Sequence, residues 1–123
     1  MIQQEGPGWR LAHDPSRQPF CVLIGGSNWA IELTEEEWRG LASVVVELEC
    51  QHQQLSDQMM AEEAITIELE RSPWWALLEG DRQQWNLSVV LTPSHRRGAE
   101  GSWQAPAAVA IVAAMRTLMD SLE

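Results

Sequence analysis

Apolar and polar residues alternate with period two along most of the chain, and this rhythm gives way twice to a period near 3.6. Trp9, Leu11 and His13 alternate with Arg10, Ala12 and Asp14. After a turn at Asp14-Pro15-Ser16, the residues Phe20, Val22 and Ile24 alternate with Cys21 and Leu23. Gly25-Gly26-Ser27-Asn28 forms a turn cluster leading into Trp29, Ile31 and Leu33. This pattern predicts three antiparallel strands. In the next stretch Trp38, Leu41, Val45, Leu48, His52, Leu55 and Met59 are spaced alternately by three and four residues. That spacing puts them on one face of a helix ending near Met60, and such a helix is roughly 40 Å long at 1.5 Å per residue. Thr34 followed by Glu37 is a T-x-x-E capping box, and Glu35 and Glu36 fall in the first turn, where negative charge suits the helix dipole. The run of three glutamates is therefore expected to start a helix rather than form a paired-carboxylate site. His52 interrupts the apolar stripe and is expected to be hydrogen-bonded at the edge of a packed face.

Alternation then returns. Ile65, Ile67 and Leu69 face one way, and Thr66, Glu68 and Glu70 the other. Trp74-Trp75-Ala76-Leu77-Leu78 is apolar on both faces, which predicts a strand covered on both sides. Trp85, Leu87, Val89 and Leu91 alternate with Asn86, Ser88, Val90 and Thr92. A polar loop spans Thr92 to Gly101, Pro106 suits a helix N1 position, and Ala107 to Leu122 reads as a second helix, apolar almost all round at first. The order is three strands, a helix, three or four strands, a helix. Gly26-Ser27-Asn28-Trp29 before the first helix is echoed by Gly101-Ser102-Trp103 before the second. The expected fold is α+β, a single domain over 1–123 with two pseudo-repeated antiparallel strand-block plus helix units, about 6–60 and 61–123. One sheet shields only one side of the last helix, so a second copy is expected to shield another, giving a homodimer through helices.

Composition adds charge to this picture. The 123 residues carry a formal net charge of −10, with eight arginines, no lysine, no tyrosine and seven tryptophans. An acidic chain repels nucleic-acid phosphates and anionic membranes at long range. Cys21 and Cys50 match neither a disulfide framework nor a zinc spacing and are expected to be buried thiols. MIQQEGPGWR has no apolar signal region, and the longest apolar stretch, Ala105 to Met115, is far short of the ~20 residues of a membrane span. A cytoplasmic protein without a membrane partner is expected.

Four stretches together carry a resemblance: GPGWRL (6–11), LIGGSNWAIELTEEEW (23–38), MAEEAITIELERSPWWALLEGDRQQWNL (60–87) and RRGAEGSWQAPA (96–107). They resemble a small cyanobacterial family of unknown function, domain of unknown function 1818. The resemblance implies the Whirly-like fold of single-stranded-DNA-binding transcriptional regulators, in which strand blocks alternate with helices and the helices mediate association. It implies no catalytic or binding residues, and fold does not fix function.

Single-strand binding needs a cationic groove and exposed aromatic platforms. The candidate cations are His95, Arg96 and Arg97 in one loop and Arg82 in another turn, able to clamp a phosphate or a partner carboxylate. The preferred reading is that they balance Glu100 and other surface acids. Trp74, Trp85 and Trp103 are the candidate exposed aromatics, weighed against the ordinary role of tryptophan in a core. His13, His52 and His95 show no metal spacing, neither cysteine has a catalytic signature, and Gly25-Gly26-Ser27 lies between strands rather than before a helix. No catalytic residue, metal or cofactor is expected. Glu62, Glu63, Glu68 and Glu70 make an acidic surface, read either as a solvated face or as a docking patch for a basic protein. The expected function is a non-enzymatic binding or scaffolding role of an acidic homodimer acting through protein–protein contacts. Single-stranded nucleic-acid binding is the alternative.

Overall fold

In the computed structural model, which describes residues 1–60, 63–92 and 97–122, the period-two segments form two antiparallel sheets and the 3.6-period segments form two helices. The first sheet has the order β1-β2-β3-β4: β1 Ile2–Gly6, β2 Trp9–His13, β3 Val22–Gly25 and β4 Ala30–Leu33. α1, Glu35–Ser56, follows it. The second sheet has the order β5-β6-β7-β8: β5 Ile65–Arg71, β6 Trp74–Gly80, β7 Trp85–Leu91 and β8 Ala99–Trp103. α2, Ala107–Ser121, closes the chain. The result is an α+β fold of two repeated four-strand-plus-helix units.

β1 escaped the periodicity because its sequence, IQQEG, does not alternate. As an edge strand it exposes most of its side chains and is held by its backbone ladder to β2, with Ile2 opposite His13 and Gly6 opposite Trp9. Phe20, expected in a strand, lies before β3 and is exposed.

The capping box forms as expected. The Glu37 N–H donates to Thr34 Oγ1 at 3.2 Å, and the Thr34 N–H donates to Glu37 Oε1 at 2.9 Å. Trp38, Leu41, Val45, Leu48 and His52 make the buried stripe. Leu55 leaves it, 45% exposed, because the buried face passes from His52 to Ser56, where the helix stops. There the Ser56 hydroxyl donates back to the His52 carbonyl at 2.7 Å. The helix is therefore roughly 33 Å long rather than 40. His52 Nε2 donates to the Asp81 carbonyl at 2.9 Å, since that carbonyl can only accept.

The helices cross between repeats. α1 packs mainly on β5 and β6 of the second sheet, whereas α2 touches β1 and β2 of the first, β7 and β8 of the second, and α1. Arg116 on α2 pairs with Glu49 on α1 at 2.5 Å. One apolar cluster consequently runs through both halves, from Leu11 and Ile24 to Trp74 and Leu118. This corrects the argument that a second copy must cover α2. Ala107, Ala108, Ile111, Val112, Ala114, Met115 and Leu118 are buried within one chain. The flank left in water is Ala113, Arg116, Thr117 and Asp120, which is mostly polar.

Strand phase corrects two further expectations. Trp74, Trp85 and Trp103, expected to be exposed, are 1%, 4% and 1% exposed. All three sit on the inner face, in step with Ala76, Leu78, Leu87 and Val89, under the helices. Conversely, β6 takes a helix on one side only: α1 packs against the Trp74 face, while Trp75 and Leu77 point to the other side and are half-buried.

The β6–β7 turn carries a pH-dependent contact. Asp81 Oδ1 accepts from the N–H groups of Gln84 at 2.8 Å and Gln83 at 2.9 Å, which hold its carboxyl below the ordinary value. A carboxyl lowered by folding stabilises the native state above its unfolded pKa and loses that contribution as pH falls through the folded pKa. The stability difference between wild type and Asp81→Ala is therefore expected to be flat above about pH 5 and to shrink below about pH 4. Urea midpoints measured across that range check it, and a difference unchanged by acid would remove the carboxylate's role in the turn.

Candidate functional site

The outer face of the second sheet is built by register. Across the four strands, Glu70, Trp75, Val90 and Glu100 form one row. Glu68, Leu77, Ser88 and Ser102 form the next, and Thr66, Glu79 and Asn86 the third. The apolar residues Trp75, Leu77 and Val90 stand half-buried on the two central strands. Glu68, Glu70, Glu79 and Glu100 stand exposed around them. None of the eleven outward positions holds a cation. None of these four glutamates joins the ion pairs formed among the described residues. Of the acidic surface expected at Glu62, Glu63, Glu68 and Glu70, the strand acids Glu68 and Glu70 thus continue across the sheet to Glu79 and Glu100, around an apolar centre. Glu62 lies outside the described residues. Trp75 and Leu77 escaped notice because an all-apolar strand carries no phase of its own. The phase comes from Ile67 opposite Leu78 and Leu78 opposite Leu87, pairings that place Leu77 and Trp75 on the far side.

A second feature joins the repeats. The echoing segments Gly26-Ser27-Asn28-Trp29 and Gly101-Ser102-Trp103 meet in space, with the Trp29 and Trp103 rings 5.0 Å apart and tilted by 52°. Trp103 Nε1 donates to the Gly25 carbonyl at 2.8 Å. Beside them lies an open cleft of about 410 Å³ lined by residues including Gly8, Ser27, Asn28, Trp29, Ser102 and Gln104. Gly8, at φ +81°, supplies the left-handed residue of the β1–β2 turn there. The lining combines hydroxyl, amide and indole groups with proline and alanine side chains, and has no titratable side chain.

The candidate cations do not converge. Arg97 is already engaged: it pairs with the Glu37 carboxylate, donates to the Glu32 carbonyl at 3.0 Å and stands 4.6 Å from the centre of the Phe20 ring. Arg82 lines a separate cleft with Gln53, Ser56, Asp57 and Gln83, at the other end of α1. The two arginines are tied to positions about 28 Å apart along that helix. His95 and Arg96 lie outside the described residues. Arg17, Arg39 and Arg116 also pair with carboxylates. Cys21 is buried as expected, but Cys50 is exposed on α1. Among the described residues, no three His, Cys, Asp or Glu side chains gather as a metal site would require, and no helix is long and apolar enough to cross a membrane.

Comparison with curated proteins yields no match. Among solved structures, the chain is similar to a crystal structure described as a protein of unknown function from the DUF155 family, from Prochlorococcus sp. NATL2A. The two are 48% identical, with a TM-score of 0.91 over 97% of this chain and 99% of that one. The family model described as domain of unknown function DUF1818 matches residues 4–118. The chain therefore belongs to the DUF1818 family, a domain family of unknown function.

Proposed function

We propose that the protein is a non-enzymatic binding or scaffolding module that acts through contact with a basic protein partner. The observation that supports this reading is the outer face of the second sheet, away from the helices, where Trp75, Leu77 and Val90 are framed by four carboxylates and none of the eleven outward positions carries a cation. Half-buried apolar residues inside a charged rim are the anatomy of a contact surface, and the rim's single sign selects a partner of opposite charge.

Single-stranded nucleic acid, brought into view by the Whirly-like likeness, is the competing reading. Phosphates would meet a repulsive field on this face, and the described arginines are spread along the molecule, four of them paired with carboxylates. A photo-crosslinking residue placed at Ser88, in the middle of the face, tests the proposal in extracts of the source cells. A discrete crosslinked protein is expected, and it should be lost in Glu70→Lys/Glu100→Lys. The reading is overturned if Ser88 captures nothing while a labelled single strand binds tightly, with steep salt dependence that disappears in Arg82→Ala/Arg97→Ala.

A further inference from the structure

The partner's shape, as well as its charge, is written into the outer face of the second sheet. We infer that its occupant is an amphipathic helix bearing an apolar stripe with a lysine or arginine on each flank. This inference rests on the protein-binding reading above. The row Glu70–Trp75–Val90–Glu100 places an acid on each outer strand and apolar side chains on the two strands between. Adjacent strands lie about 4.8 Å apart, so the acids are carried on strands roughly 14 Å apart. An α-helix with its side chains is about 10–12 Å across. Lying on β6 and β7, it would rest its stripe on Trp75, Val90 and Leu77. Cations on its two flanks would reach Glu70 and Glu68 on one side and Glu100 on the other. The spacing along the strand agrees: Trp75 and Leu77 are two residues apart, roughly 7 Å, close to the ~6 Å rise of four helical residues.

Other occupants fit less well. A second copy laid face to face would set Glu68, Glu70, Glu79 and Glu100 against the same four acids. An added β-strand would pair with an open sheet edge through its backbone and leave this face untouched. The β5 edge also carries Glu68 and Glu70, the kind of charge that discourages such pairing.

The test uses the full chain and synthetic peptides of about 18 residues, long enough for several helical turns. One peptide has leucines spaced three and four apart with lysines on both flanks. A second has the same composition scrambled so that no amphipathic helix can form. Binding is read by fluorescence anisotropy at low salt, with peptide helicity followed by circular dichroism. The patterned peptide is expected to bind about tenfold more tightly than the scrambled one and to gain helicity on binding. Glu70→Lys/Glu100→Lys is expected to weaken it by a further factor of about ten, and Glu70→Gln/Glu100→Gln by less, with unfolding midpoints near that of wild type. Equal binding of both peptides, lost in the Lys variant, overturns the helix and leaves a basic-protein surface standing. Patterned-peptide binding that survives the Lys variant places the contact elsewhere and overturns the inference. Binding of neither peptide, or self-association that blocks them, overturns it as well. The Ser88 crosslink then decides separately whether the protein-binding reading survives.

Discussion

Replacing Trp103 with alanine is expected to destabilise the protein by about 4 kcal/mol, among the largest effects of any single substitution here. Trp103 is 1% exposed, lies against Trp29, and ties the end of the second sheet to the first through its bond to the Gly25 carbonyl. Truncation removes a large buried side chain and one hydrogen bond to that buried carbonyl. The cavity and transfer loss account for most of the cost, and the lost hydrogen bond adds about 1 kcal/mol. Small domains have about 5–15 kcal/mol in total, so a loss of this size removes a large share of the stability. Trp103→Phe separates the two contributions: it keeps an aromatic ring and loses the N–H, so a loss of about 1–2 kcal/mol is expected. Urea unfolding with unchanged slope measures both. An alanine variant within 1 kcal/mol of wild type would mean that Trp103 does not hold the two repeats together.

The second large effect is expected at Gly101, and its sign runs against strand propensity. Gly101 lies within β8 opposite Val89, where a β-branched residue ordinarily improves a strand. A Cβ added at Gly101, however, would overlap the six-membered ring of Trp29. Trp29 cannot swing aside freely, because a Cβ added at Gly26 would overlap its five-membered ring and Trp103 packs beside it. Gly101→Val is therefore expected to destabilise by about 2–3 kcal/mol through overpacking. In a Trp29→Ala background the same substitution is expected to be neutral or stabilising, which gives a large coupling in a double-mutant cycle. A Gly101→Val cost that is the same in both backgrounds would show that the strand backbone, not the indole, is what excludes a side chain.

The two helices and six of the eight strands, β2 to β7, are legible in the residues, because each has a face that must be dry and a period that repeats. Thr34 and Glu37 go further and specify an atomic contact, since a capping box involves only neighbours in sequence. β1 and β8 are not legible: both are edge strands held through their backbones, and β8 begins within Thr92 to Gly101, which reads as a polar loop. For the site, the acids Glu68 and Glu70 could be read off the chain, but the apolar centre they frame could not. Trp74 and Trp75 are indistinguishable as letters. One is buried with its indole N–H donating to the Glu37 carbonyl at 2.9 Å, and its neighbour faces water. Nothing local chooses between them.

Local chemistry thus sufficed for everything within reach of a few bonds: caps, turns, the phase of amphipathic segments and the acidic field of the whole chain. The cover over α2, the meeting of Trp29 with Trp103, and the face to which Trp75 belongs were left to packing. They depend on pairings between residues tens of positions apart, and those pairings exist only once both sheets and both helices compete for the same apolar interior.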